Sequence, residues 1–373
     1  MAIRFSAFLA ALLATAVVAS GQTSLGIAYK YNRLYNPGWF INPRGINNNN
    51  VIVGSYVDFG SGDPATHGFI YEKGNFTVVD FPGTNYSSAT GINDDGDVVG
   101  YYALPNNPQT HGYLLHQGVF TTINGPGSSN TYPSAINNLG TIVGTCTDEN
   151  GVNHGFVYHH GVFQKVDAPL VDSNGRVDTL LFGVNNAGMI VGSVSDRSGG
   201  RGFWLYQNVF HFLNARDTIG KFPLGINDRG DIVGSSQTRF LAFGVPAQGV
   251  SNVEYIRGWT YVQGLNDARI LIGVDGEFLD AAFVATPILT IQVSSPANRS
   301  NVTNPVHVAA TAVGQNPGTL FEVWVNYQKV YSVEGTSLDA DMNVPVGMNE
   351  RFVIKAVDSS GEIAKVVDQI NVN

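Results

Sequence analysis

Between about residue 40 and residue 285 the chain alternates short apolar runs with polar turns on a fixed cycle. Six times a small residue, an aliphatic and an asparagine close an apolar stretch: Gly45-Ile46-Asn47, Gly91-Ile92-Asn93, Ala135-Ile136-Asn137, Gly183-Val184-Asn185, Gly225-Ile226-Asn227 and Gly264-Leu265-Asn266. The asparagines are spaced by 46, 44, 48, 42 and 39 residues. A polar turn follows each one, and then a β-branched run ends at Gly54, Gly100, Gly144, Gly192, Gly234 or Gly273. Such runs, bounded by Asn, Asp and Gly, predict strands joined by hairpins. A third strand opens with His-Gly-aromatic at 67–69, 111–113 and 154–156, and with Arg-Gly-Phe at 201–203. A fourth is expected at 74–83, 118–127, 161–170 and 208–217. Four strands per period of 40–50 residues indicate propeller blades, whereas a β-helix would repeat at half that period or less.

The sixth repeat lacks a fourth strand, and the segment 29–38 supplies one. Aligned with 74–83, it places Tyr31 on Phe76, Leu34 on Val79, Pro37 on Pro82 and Gly38 on Gly83. Pairing of 29–37 with 281–286 would close the ring and remove two open edges. After Pro287 the repeat stops, and some seven short alternating strands follow, with a hairpin at 358–361. This pattern predicts an immunoglobulin-like sandwich with Trp324 in its core and a fibronectin-like sandwich as the close competitor. The predicted fold is therefore all-β: a six-bladed β-propeller closed by an N-terminal strand (21–286), followed by an Ig-like β-sandwich (287–373).

Composition narrows the setting. Residues 1–20 carry Arg4, an apolar run from Ala7 to Ala19 and small residues at its end, the pattern of a cleaved secretory leader. The run is too short for the roughly 20 residues of a membrane span, so no span is expected after leader removal. An exported protein is expected, extracellular, periplasmic or at the cell surface. Charged residues make up only 13% of the 373, and the net charge is -9 with no basic cluster. That excludes nucleic acid as a partner, because phosphate binding needs a basic stripe. Cys146 is the only cysteine, so an internal disulfide and a Cys-based metal cage are excluded.

The Gly-Ile-Asn, Ile-Val-Gly and His-Gly-Phe elements resemble the HAF-type extracellular repeat of bacterial exported proteins over roughly residues 40–285. Gly replaces the family's Ala, and Arg201, Arg239 and Ala281 stand where its His would be. The resemblance implies export and a propeller-like fold, and no established activity. The C-terminal part resembles bacterial Ig-like modules.

Candidate chemistry is sparse. His67, His111 and His154 each open a third strand roughly 10 Å outside the inner one, at about 4.8 Å per strand, so they cannot converge on a metal. Asp94, Asp95 and Asp97 offer oxygens but miss the calcium-loop spacing and its distal Glu. No metal and no cofactor are expected. Nucleophile-elbow, zincin and P-loop motifs are missing. Connection length is the better guide. Links from strand two to three, and from one repeat to the next, are long and aromatic, and they emerge on one face. Tyr56, Tyr86, Tyr101, Tyr102 and Tyr132, with Asp148, Asp178, Asp196 and Arg197, are the expected ligand-binding residues. The expected function is noncatalytic binding or adhesion to a glycan or an extracellular or cell-surface protein. The alternative is an extracellular polysaccharide hydrolase or lyase, which would need two carboxyl groups converging from separate blades.

Overall fold

The computed structural model describes residues 24–59, 65–107, 109–169, 178–196, 199–213, 222–235, 240–242, 254–255, 260–275, 281–316 and 319–373. The expected leader at 1–20, Arg197 and the side chain of Asp196 lie outside the described residues. Those described are strands and turns, and no helix among them is long and apolar enough to cross a membrane.

The described residues open with β1 (Ser24–Leu34). Antiparallel four-stranded units follow, each paired in chain order. The first holds β2 (Trp39–Ile46), β3 (Ile52–Asp58), β4 (Thr66–Glu72) and β5 (Asn75–Val78). The second holds β6 (Tyr86–Ile92), β7 (Val98–Ala103), β8 (Thr110–His116) and β9 (Val119–Ile123). The third holds β10 (Asn130–Ile136), β11 (Ile142–Thr147), β12 (Asn153–His159) and β13 (Val162–Val166). The fourth holds β14 (Asp178–Val184), β15 (Ile190–Asp196), β16 (Gly199–Tyr206) and β17 (Val209–Phe212). The fifth holds β18 (Phe222–Ile226), β19 (Ile232–Ser235), β20 (Phe240–Ala242) and β21 (Glu254–Tyr255). In the sixth, β22 (Thr260–Leu265), β23 (Leu271–Asp275) and β24 (Ala281–Ser295) are followed in the sheet by β1. The fourth strands are shorter than the sequence pattern predicts: β5 ends at Val78, before the Pro82-Gly83 turn.

Close packing explains the repeat's glycines. A Cβ at Gly54 would stand 2.7 Å from the Phe69 ring, and one at Gly100 would stand 2.6 Å from the Tyr113 hydroxyl. Phe69 and Tyr113 are fully buried there, so any larger residue on the second strand would displace the core. The turn between first and second strands forms even where glycine is missing. Asn50 and Arg269 take the left-handed conformation at φ 63° and 59°, and the Arg269 amide donates to the Asn266 carbonyl at 2.9 Å.

Along β1, Leu34 lies opposite Ala282 and Tyr31 opposite Ala285, in the register that the sequence alignment predicts. The strand is also longer than expected. Residues 24–28 pair with 289–293 beyond a bulge that leaves Ile288 unopposed, and β24 crosses Pro287 unbroken. The division expected at 286/287 thus falls inside one strand.

Beyond it come β25 (Asn301–Val302), β26 (Val306–Gly314), β27 (Thr319–Val325), β28 (Gln328–Glu334), β29 (Ser337–Met342), β30 (Gly347–Asp358) and β31 (Ile363–Val372). One sheet runs β24-β26-β29 and the other β25-β31-β30-β27-β28. Ile291 and Val308 from the first sheet meet Phe321, Phe352 and Val366 from the second in one core. Trp324 is not in that core, contrary to the sequence expectation. Phe321, Val323 and Val325 point inward, and strand alternation turns Trp324 outward with Glu322. Its Nε1 donates to Glu322 Oε2 at 3.0 Å, and Lys355 lies 4.2 Å from its ring centre.

The N-terminal end of β1 is built into this region. Ser24 donates to Asp368 Oδ1 at 3.0 Å. Asp368 is buried, and its Oδ2 has no partner. Burial pushes its carboxyl up to about 6, against the lowering effect of the Ser24 hydrogen bond.

Candidate functional site

The first strands of the six units flank one another in cyclic order, the last (β22) touching the first (β2). Each breaks register once, at the residue preceding its Gly/Ala-aliphatic-Asn triplet. In β2, Pro43 faces Gly54 and Gly45 faces Val53, so Arg44 has no residue opposite. Thr90, Ser134, Phe182, Leu224 and Gln263 are bulged in the same way. A bulge re-aims the side chain it carries, and these six converge. Together they line a chamber of about 120 Å³ on the side of the asparagine turns and one of about 170 Å³ on the opposite side. The six form a waist between the two chambers. Gln263, Arg44, Thr90 and Ser134 make its polar arc, and Phe182 and Leu224 its apolar arc.

The turn-side chamber is bounded by two rings of hydrogen bonds. In the first, the side-chain amide of each triplet asparagine donates to the carbonyl of the next one. Asn47 donates to Asn93 (2.9 Å), Asn93 to Asn137 (3.3 Å), Asn137 to Asn185 (3.0 Å) and Asn185 to Asn227 (3.1 Å). Asn227 donates to Asn266 and Asn266 back to Asn47, both at 3.1 Å. In the second ring, backbone amides donate to side-chain oxygens one residue further on: Asn48 to Asp94, Asp94 to Asn138, Asn138 to Asn186, Asn186 to Asp228, Asp228 to Asp267 and Asp267 to Asn48. The three carboxylates are further held by Asn side chains, as when Asn138 Nδ2 donates to Asp94 Oδ2 at 2.7 Å. Burial acts to raise the Asp94 carboxyl, but the amides of Asn48 and Asn138 outweigh it and hold it below the usual range. Among the described residues, no group of three or more His, Cys, Asp or Glu is placed to hold a metal.

The opposite chamber is lined by the waist residues with Tyr101, Tyr132 and Pro133. Tyr101 packs edge-on to Tyr132 with ring centres 5.3 Å apart, and Tyr86 lies 6.2 Å from Tyr101. Burial raises the Tyr86 phenol, as do Tyr101 and Tyr132, while the positive charge of Arg44 acts against them. Among the described residues no Asp or Glu lines this chamber, and none pairs with Arg44.

Of the expected ligand-binding residues, Tyr86, Tyr101 and Tyr132 come together at this chamber. Tyr56 and Tyr102 do not, being only 5% exposed, and the expected loop placement is corrected for all five tyrosines, which are residues of β3, β6, β7 and β10. Tyr56 is stacked on Trp39 at 3.6 Å and lies against His67. Tyr102 is stacked on Phe81 at 3.6 Å and shares a hydrogen bond with Thr122. The strands run past the Gly100 position to Ala103, so alternation sends Tyr101 and Tyr102 to opposite faces. Burial, with Asp80 and Asp58 nearby, pushes the Tyr56 phenol up to about 12.

The acidic candidates are engaged locally. Asp148 Oδ1 accepts the amides of Asn150 and Val152 within its own turn, chiefly that of Val152, and its carboxyl is lowered accordingly. Asp178 Oδ1 accepts the Asn153 amide at 2.8 Å. The third-strand histidines fasten the segment that follows each fourth strand. His67 Nδ1 lies 2.7 Å from Asp80, His111 Nδ1 3.1 Å from Asn124 and His154 Nδ1 2.8 Å from Asp167. Cys146 is buried, and burial pushes its thiol up, away from the reactive thiolate.

The waist residues escaped sequence reasoning. The signal was one repeat position filled by Arg, Thr, Ser, Phe, Leu and Gln inside an otherwise fixed frame.

No family model matches the chain, and no curated protein does. Among solved structures it is similar to TolB from Acinetobacter baumannii, at 10% identity and a TM-score of 0.34 over 72% of this chain. That match spans 64% of the TolB chain, less than two thirds of it. It is also similar to an arginine-substituted mutant of AofleA from Arthrobotrys oligospora, at 9% identity and a TM-score of 0.40, over 93% of this chain and 94% of that one. Neither similarity is close enough to carry a function across.

Proposed function

We propose that this chain is an exported, noncatalytic binding protein of the HAF-repeat type that takes its ligand at the tyrosine-lined chamber. In this reading residues 21–286 are a six-bladed β-propeller completed by β1, and the C-terminal sandwich is an Ig-like spacer or second contact. The asparagine ring that returns from Asn266 to Asn47 supports six blades. The leader-like segment at 1–20 supports export to the cell surface, the periplasm or the medium.

One observation carries the reading: Tyr101, Tyr132 and Arg44 meet at a chamber at the long-connection end, with Tyr86 beside it. Tyrosines present broad amphipathic area at low entropic cost, suited to a sugar face or a protein anchor. A hydrolase or lyase would need free carboxyl groups there, and among the described residues no Asp or Glu lines the chamber. The test is a screen of the mature protein against glycans and cell-wall polymers, repeated with Tyr86, Tyr101 and Tyr132 replaced by Ala. Loss of the captured ligand in the folded variant is expected, and undiminished capture would place the site elsewhere.

A further inference from the structure

Building on that binding site, we infer that the chamber selects a sugar bearing a single carboxylate, a uronic acid residue of an acidic glycan, with Arg44 as the anion-recognising group. Arg44 is aimed at the axis by its bulge and is exposed to the chamber. Among the described residues it is the only charged one lining the chamber, in a chain whose net charge is -9. A guanidinium matches a carboxylate bidentately through its planar fork. Gln263 is its neighbour on one side of the waist and Thr90 on the other, with Ser134 next, so neutral donors and acceptors flank the cation. One positive charge among neutral groups balances one negative charge. A doubly charged phosphate would remain undercompensated once removed from water. Across the waist, Phe182 and Leu224 offer an apolar wall, and Tyr101 and Tyr132 complete the lining. A pyranose carboxylate has this same division, with a charged edge, hydroxyl edges and an apolar ring face.

The experiment compares a trimer of galacturonic acid with its carboxyl-reduced neutral counterpart by titration calorimetry on the full mature chain. Wild type should bind the acid at least ten-fold more tightly than the neutral sugar, with affinity falling as salt rises. Arg44→Gln should erase that preference while melting as wild type does, and Arg44→Lys should restore only part of it, because the bidentate geometry is lost. Equal affinity for the two sugars, an undiminished preference in Arg44→Gln, or no binding of the acid by the folded protein would overturn the inference. So would preferential binding of a peptide through its free C-terminal carboxylate. A neutral glycan captured through Tyr101 and Tyr132 would overturn the carboxylate assignment and leave the binding site standing. Capture insensitive to those tyrosines would remove the site itself.

Discussion

The two chambers of the ring are built from the same six strands, yet their polar groups are used in opposite ways. At the turn end the triplet asparagines and the residues after them donate to and accept from one another until two hydrogen-bonded cycles are complete. At the other end Arg44, Ser134 and Gln263 line a chamber with no side-chain hydrogen bond to the described residues. A polar group that answers its neighbour stabilises the fold, and one left facing an open chamber is available to a ligand. The difference arises at one position, because the bulge before each triplet turns a side chain out of the ladder and into the lumen.

Removing a member of the asparagine ring should have the largest effect. Asn137→Ala would strip the Asn185 carbonyl of a donor and the amides of Leu139 and Thr141 of their acceptor. A loss of about 3 kcal/mol in chemical denaturation is expected, from three hydrogen bonds at about 1 kcal/mol each, with the Asn185 carbonyl keeping the Gly188 amide. Ligand binding by the protein that remains folded should be unchanged.

Asp368 breaks the simple contrast, because its Oδ2 is unengaged but faces a packed core instead of a chamber. There an unanswered group is a cost. Its folded-state pKa of about 6 lies above the usual value of about 4 in an unfolded chain. The folded state therefore holds the proton more tightly. The associated stability is fully present below about pH 4, fades as pH rises through about 6, and is absent above it. Asp368→Asn keeps an oxygen for Ser24 and should stabilise the protein by about 2 kcal/mol at pH 8 and hardly at all at pH 4. A pH-independent difference would assign the effect to packing instead.

The histidine fastenings should have a smaller effect. His67→Ala would release Asp80, which also accepts the Gly68 amide. A loss of about 1 kcal/mol is expected by thermal denaturation, with no change in ligand affinity. Smallest of all should be the stability change in Tyr101→Ala with Tyr132→Ala, within about 0.5 kcal/mol for partly exposed side chains. That same variant should lose ligand binding.

Much of the ring was legible because turn chemistry is local. Asn and Gly fix the hairpins, and the fourfold run of strands between them repeats often enough to align. The pairing of residues 29–34 with 282–287 was legible for the same reason, since Tyr31 and Leu34 repeat a fourth-strand pattern. Strand length was harder to read. The glycine of the second strand looks like an end but is a packing site under an aromatic ring, so the pattern alone assigns Tyr56, Tyr101 and Tyr102 to loops that begin later. The outward phase of Trp324 is readable, because Phe321, Val323 and Val325 already fix the inward side. The bulges were illegible because a register slip arises between two strands, and the variable residue that it exposes carries no turn signal of its own.

The pairing of β1 with β24 also sets an order of events during synthesis. Ser24 leaves the ribosome about 270 residues ahead of its partner Val293. At 5–20 residues per second, the first strand waits on the order of tens of seconds for its mate. Throughout that interval it is an unpaired edge, open to misassociation with any other nascent strand. A holding chaperone that engages residues 24–34 would therefore have its longest opportunity on this chain, and its release would coincide with arrival of the segment that joins the ring to the sandwich.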